Sequence, residues 1–425
     1  MKKRLLIIMA LILLTGGSAV FAQNDAVYSA TEKRIAKAEA AVADPKRESS
    51  PKAWLEKARA YKDAYNVTLG LLRMNAPQEE MNIILKMEPS EALGTSDGKE
   101  KHIYPNLILY YQDGGLVGWE ETKKIAEDPI GTALDSYKKV LSLSPTTSDK
   151  ERVNADLESL KFSLEMEGLN AYGREKYKDA LTNFERMMDI TSVLGLPAEV
   201  DSTVTYYAGF MSLLDKNNDK AAKYLTKALE MKVNQPAIYE FLNNIYMEKG
   251  DTLAAVKILN EGNERYPEDK NTLLQLIQLL IDTNNSAEAI KKLEAAKSMD
   301  PSNKLYPFVE GTLYDKIGDY DKSTASYEKA IEIDPNFFDA LFNVSVLYFN
   351  KAVELSNEAN NEEVVEAFNK KQEEADAVFK KALKPMEKCR EVNPEDRAVL
   401  GPLKTLYYRL KMEDKYKEID ELMKK

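Results

Sequence analysis

Cysteine and histidine are nearly missing from this 425-residue chain: Cys389 and His102 are the only examples. A lone thiol closes no internal disulfide, so stability has to come from packing. A lone imidazole rules out His-based metal clusters and HExxH sites, and with one cysteine no zinc site of paired Cys and His ligands can form. Cys389 reads as a packed thiol, and His102, beside Lys101, as a loop residue. Glycine (18) and proline (16) are sparse, which favours helix. The longest apolar run, Leu5–Leu14, has ten residues, against about 20 for a membrane span. Positive charge is short too: 59 Lys and Arg against 70 Asp and Glu give −11. That balance suits neither nucleic acid nor anionic lipid, which need clustered cations. It favours neutral or basic partners, and it also serves solubility.

Motifs for catalysis are missing as well. There is no G-x-S-x-G elbow and no phosphate loop, and Gly114, Gly115 and Gly118 do not fit the dinucleotide fingerprint. Asp215, Asn217 and Asp219 imitate the start of a calcium loop, but Lys220 and Thr226 stand where its Gly and Glu belong, so they read as a solvated helix turn. No enzyme activity, cofactor or metal is expected.

The N-terminus has the layout of an export signal. Lys2, Lys3 and Arg4 precede Leu5–Leu14, then Thr15, Gly16, Gly17 and Ser18, with Val20 and Ala22 suited to cleavage before Gln23. Loss of residues 1–22 takes three positive charges and leaves −14. The expected location lies beyond an inner membrane: periplasmic, outer-membrane-associated or secreted, with no stable membrane span after cleavage.

What the chain does have is a repeat. In Lys304–Phe337, Gly311, Tyr314, Gly318, Tyr320, Tyr327, Ala330 and Pro335 follow the spacing G-x2-Y, small-x3-aromatic, Pro, with Ser323 at a position usually Ala. Thirty-four residues earlier, Lys270–Asn303 repeats it with Ala289, Leu293, Ala296 and Pro301. Pro236–Asp269 has Tyr246, Gly250, Ala255, Leu259, Gly262 and Pro267. A unit from about Ser202 has Gly209, Ala221, Leu225 and Ala228, and one from about Lys161 has Gly168, Tyr177, Ala180 and Phe184. This spacing resembles that of the tetratricopeptide repeat, which implies two antiparallel helices per unit. Small residues let the two backbones cross closely, Gly250 and Gly318 serve the turns, and proline ends each second helix.

These residues resemble the tetratricopeptide repeat. The resemblance implies an all-α, right-handed superhelical solenoid of antiparallel helix pairs, with insertions in the first and penultimate units. The expected layout is a signal peptide (1–22), an N-terminal helical region with a split unit (23–160), five regular units (161–337), a unit with lengthened helices (338–396) and a capping pair (397–425). In the split unit, Ser50–Tyr65 resembles a first helix and Pro129–Pro145 a second. Residues 66–128 between them leave the pattern, and Ile103–Tyr111 fits either a strand or an apolar plug. Trp54 is expected in the core, while Trp119 fits core and exposed contact equally. The layout, with the segment Asp128–Tyr137, also resembles exported tetratricopeptide proteins of Bacteroidetes-type bacteria.

The resemblance implies a scaffold that binds a protein or peptide segment in a concave groove lined by first helices. Projected onto this chain, the lining is Tyr206, Phe210, Glu240, Asn244, Gln278, Phe308, Thr312, Asp315, Phe342 and Val346. Asn244 lacks the basic companions that clamp a C-terminal carboxylate in this family, so a neutral or basic partner is expected. Several of the aromatics could instead pack between helices. Two other readings stay open: a small-ligand or glycan site built from 66–128, and an assembly contact at the long hairpin near 350–380.

Overall fold

The computed structural model describes residues 25–424; the proposed signal segment 1–22 lies outside them. Four turns that recur at the repeat period show why the chain forms helix pairs. Lys216, Gly250, Asn284 and Gly318 all have left-handed backbones, with φ of 59°, 73°, 59° and 79°. Glycine takes that conformation without steric cost; at Lys216 and Asn284 the same turn geometry imposes it on other residues. The residue after each turn is Asn217, Asp251, Asn285 or Asp319. Asn217, Asp251 and Asp319 accept hydrogen bonds from the backbone N–H three residues on, at 3.1, 3.0 and 3.2 Å. Such caps satisfy donors that a helix start otherwise leaves unpaired. The calcium-like Asp215–Asp219 stretch is one of these capped turns.

The chain divides into two compact units, one ending at Ile238 and the other starting at Tyr239. The first opens with helices α1 (Asp25–Ala43), α2 (Pro51–Thr68) and α3 (Gln78–Leu85). Strands β1 (Glu91–Gly94), β2 (Glu100–Tyr104), β3 (Leu107–Gln112) and β4 (Gly115–Glu121) follow. Helices α4 (Pro129–Ser142), α5 (Thr147–Gly173), α6 (Tyr177–Val193), α7 (Ser202–Leu214) and α8 (Asn218–Glu230) complete it. The split pair closes on itself: α2 packs along α4 although the whole of 69–128 lies between them in the chain.

That intervening segment adds a small sheet to an otherwise helical chain, and of the two readings of Ile103–Tyr111 it takes the strand. It contains an antiparallel meander in the order β1-β2-β3-β4, with Ile103 paired to Ile108 and Leu109 to Trp119. Along β3 the side chains alternate between buried and half-buried, the period of a sheet with one face covered. Asp113 and Gly114 supply a tight turn, both at positive φ. His102 is correspondingly not a loop residue. It lies buried on β2, its ring 4.7 Å from that of Tyr111.

In the second unit, α9 (Ala237–Glu248), α10 (Thr252–Arg265), α11 (Lys270–Asp282), α12 (Ser286–Met299), α13 (Leu305–Lys316) and α14 (Tyr320–Ile333) continue the alternation of first and second helices. Then come two long helices, α15 (Phe338–Asn360) and α16 (Val365–Val392), packed together along their length, and the pair α17 (Arg397–Arg409) and α18 (Glu413–Lys424).

The close crossings are real. A Cβ on Gly168 would sit 2.7 Å from the Phe184 ring, and one on Gly311 would sit 2.8 Å from the Tyr327 ring. Ala180, Ala221, Ala255 and Ala289 are fully buried. Ser323, in the place of an alanine, donates its hydroxyl to the Gly311 carbonyl over 2.8 Å, so its polar atom is satisfied inside the crossing.

Candidate functional site

The ten projected groove residues fall on first helices. In the first unit Tyr206 and Phe210 stack on α7, with centroids 6.4 Å apart and planes within 8°. Tyr207 and Tyr172 join them, the latter from α5 at 6.4 Å from Phe210. Burial raises the Tyr206 hydroxyl above its ordinary range, and Tyr207 and Tyr172 add to this. Tyr172 (43% exposed) and Tyr207 (38% exposed) are the more accessible members. Tyr172 was missed by projection: Gly168 and Gly209 match at 41 residues rather than 34, so Tyr172 does not occupy the repeat position of Tyr206 and joins the cluster through packing alone.

The second unit holds the other eight. Asn244, Gln278, Thr312 and Asp315 are exposed, while Glu240, Phe308, Phe342 and Val346 are half-buried. A polar bridge joins α9 to α11: Gln275 Nε2 donates to Glu240 Oε2 over 3.2 Å, and Asn243 Nδ2 donates to Gln275 Oε1 over 3.2 Å. Burial pushes the Glu240 carboxyl upward, Asp269 adds to this, and the Gln275 hydrogen bond opposes it. Phe308 is largely taken up by packing, with its ring 5.0 Å from Phe337 and 5.7 Å from Tyr327. Thr312 shares a 3.1 Å hydrogen bond with the Tyr327 hydroxyl. Phe342 stacks on Phe338 at 6.1 Å. The aromatics are thus partly interhelical filler; the accessible chemistry is amide, hydroxyl and carboxylate. Gln275 and Asn243 were also missed, because the helical period fixes a face but not a pair between two helices.

A second candidate lies in the first unit, where the inserted sheet meets the repeat. Strand β4 ends the sheet, and α5 covers its free edge. Trp119 N–H donates to Asn170 Oδ1 over 2.7 Å, and Arg174 Nη1 donates to the Trp119 carbonyl over 3.0 Å. Asn170 in the last turn of α5 and Arg174 just after its end therefore satisfy an edge strand in place of another strand. Gly173 allows the approach, since a Cβ there would overlap the Val117 carbonyl oxygen. Trp119 is buried, which settles its two sequence readings in favour of core. Trp54 is only half-buried, its indole donating to the Glu48 carbonyl over 2.7 Å.

Beside this junction lies a polar cleft of ≈ 420 Å³ between β4, α5, α6 and the approach to α4. The ion pairs Arg174–Glu120 (2.9 Å) and Arg186–Asp128 flank it. Glu121 and Glu167 line its inner part. Burial pushes the Glu121 carboxyl up to about 7; the nearby Glu167 adds to this, while a Thr68 hydrogen bond and Lys124 oppose it. Glu167 is raised as well, again chiefly by burial, although Asn170, Trp119 and Tyr65 donate to it. Among the described residues no three His, Cys, Asp or Glu side chains come together in a metal-holding group, and no helix is long and apolar enough to cross a membrane.

A family model described as TPR repeat matches residues 311–352. A TPR repeat-containing protein of Methanocaldococcus jannaschii is 26% identical over 265 residues, 61% of this chain and 44% of the relative. The chain thus spans less than half the length of that curated relative. Among solved structures, MamA protein aligns with 44% of this chain and 88% of its own, at 16% identity and a TM-score of 0.34. YrrB, described as a TPR protein with an unusual peptide-binding site, aligns with 49% of this chain and 97% of its own, at 17% identity and 0.31. A TPR repeats protein from Bacteroides fragilis NCTC 9343 aligns with 58% of this chain and 98% of its own, at 18% identity and 0.30.

Proposed function

We propose that this chain, which resembles the tetratricopeptide-repeat proteins whose family model matches residues 311–352, is a non-enzymatic protein-interaction scaffold of the bacterial cell envelope. In this reading it holds an extended or helical segment of a neutral or basic partner along the first helices of the second unit. One observation carries the proposal: Asn244, Gln278, Thr312 and Asp315 lie exposed on successive first helices, and no cation is among the eight groove residues of that unit. Amides and hydroxyls can hydrogen-bond an extended backbone, and the carboxylates select against acidic segments. Phe342 and Val346 supply the apolar contact, and Phe308 holds the helices in place.

Site-specific photo-crosslinkers at positions 244, 278 and 315, placed in turn in the native envelope, test this. The expected result is one shared adduct that is missing when the probe sits at exposed second-helix positions 257 or 291. Equal labelling from both sets of positions overturns the groove. Fractionation of the same cells tests the location: recovery of the protein in the cytoplasm with residues 1–22 still attached overturns export.

The polar cleft favours a second reading, in which the insertion takes a small hydroxyl-rich ligand such as a glycan. Asn183→Trp would fill the cleft from α6. If wild-type protein retains defined oligosaccharides on an array and the variant retains them equally, this second reading fails.

A further inference from the structure

Two surfaces of the second unit carry opposite charge around apolar centres, and one chain cannot bring its own pair together. The first is the turn between α15 and α16. Val364 and Val365 are 62% and 73% exposed there. Glu363 and Glu366 flank them, both exposed and without an ion pair among the described residues, whereas the neighbouring Glu362 is held by Lys371 at 2.7 Å. Two adjacent valines at a solvent-facing helix start leave most of their apolar surface in water.

The second surface is a cleft of ≈ 560 Å³ between α17 and α18. Tyr408, 70% exposed, and Tyr416 form its aromatic wall with centroids 5.8 Å apart, and Met412 lines it. Arg409, Lys411 and Lys417 surround them, exposed and without ion-pair partners among the described residues, and Glu413 is the one acid lining the cleft. Neighbouring lysines are paired: Lys404 and Lys424 with Asp420, and Lys415 with Glu387. Residues 397–425 hold eight Lys and Arg against five Asp and Glu, a local excess of +3 in a chain of −11.

We propose that the α15–α16 tip of one molecule docks in the α17–α18 cleft of a second copy. Val364 and Val365 would lie against Tyr408, Met412 and Tyr416, with Glu363 and Glu366 facing Arg409, Lys411 and Lys417. The distance within one chain excludes a private contact. The Arg409 guanidinium lies 5.8 Å from the Phe379 ring, and Phe379 is 14 residues along α16 from Val365, about 21 Å at the helical rise. A second copy brings both surfaces at equal concentration and with the required charges. The contact is heterologous: each molecule gives a tip and offers a cleft, so repetition builds a ring or an open chain rather than a closed dimer. It uses none of the groove residues, so it stands or falls independently of the partner-binding proposal.

Sedimentation velocity on the protein recovered from its native host tests the contact. Wild type is expected to gain average mass with concentration across the micromolar range. Glu363→Lys with Glu366→Lys is expected to be monomeric, because two basic surfaces then face each other. Arg409→Glu with Lys411→Glu and Lys417→Glu is expected to be monomeric for the opposite reason. An equimolar mixture of the two variants is expected to associate again, since each tip then meets a cleft of opposite charge. All five positions are exposed, and circular dichroism matching wild type confirms that the helices persist. Should a variant lose helix, the neutral replacements Glu363→Gln with Glu366→Gln, or Lys411→Gln with Lys417→Gln, take its place, with a severalfold weakening expected. A monomeric wild type at every concentration, self-association unchanged in either variant, or a mixture that stays monomeric overturns the proposal.

Discussion

Trp119 Nε1 donates to Glu167 Oε1 over 3.0 Å, joining the last strand of the inserted sheet to the first helix of the next pair. Asn170 and Tyr65 also donate to the Glu167 carboxylate. Glu167→Ala strips three donors of their shared acceptor, and the loss is expected to be about 3 kcal/mol, the range for breaking a buried charged network. Urea unfolding followed by Trp fluorescence measures it. Limited proteolysis should then open the 89–101 segment first. A change below about 0.5 kcal/mol would show that the sheet is held by its apolar face alone.

Glu121 makes the first unit pH-dependent. Its carboxyl is raised from 4.5 to about 7, chiefly by burial. The folded state therefore holds the proton more tightly than the unfolded chain does. The resulting stability is fully present below pH 4.5 and is lost as pH climbs from 4.5 through 7. After allowance for partial solvent screening the loss is about 2 kcal/mol. Glu121→Gln should flatten this part of the pH–stability curve and leave the variant more stable than wild type at pH 8. An identical slope in both proteins would assign the effect to other groups.

Two helical glycines should respond in opposite directions to the same change. Gly311→Ala pushes a Cβ to within 2.8 Å of the Tyr327 ring, with an expected loss of about 1–3 kcal/mol from overpacking. Gly401→Ala meets nothing within 4 Å inside α17, so helix propensity alone acts and a gain of about 0.5–1 kcal/mol is expected. Thermal unfolding of the pair decides whether the crossing or the propensity governs these positions.

Cys389 should be inert. It is fully buried, and burial pushes its thiol up to about 12, with Asp396 and Asp339 adding to this. A disulfide reagent at pH 8 is expected to react only after denaturant is added. Stoichiometric reaction of the native protein within minutes would mean that the end of α16 opens readily.

The helix pairs were legible in the sequence because everything that makes one is local. Asn217, Asp251 and Asp319 each cap a helix from within its own first turn, and Gly311 meets Tyr327 on the very next helix. The sheet was less legible. Asp97-Gly98 and Asp113-Gly114 are hairpin signals, and the alternation along Leu107–Tyr111 is a strand signal. Both were overshadowed by an apolar run, IYPNLILYY, that fits more than one structure. The groove was legible as a face and no further. The period placed Phe308 on a first helix, but the choice between free anchor and packed filler belonged to Phe337 and Tyr327.

By itself the sequence determined the period, the pairing of neighbouring helices, the buried thiol and the acidic balance, since these follow from composition and from residues on the same or adjacent helices. Tertiary structure decided the rest. It set Glu167 against Trp119 across 48 residues of chain, placed His102 inside a sheet, and left Glu363 and Arg409 without ionic partners among the described residues. Each of these outcomes depends on which distant side chains share a small, poorly hydrated space, and no linear spacing encodes that.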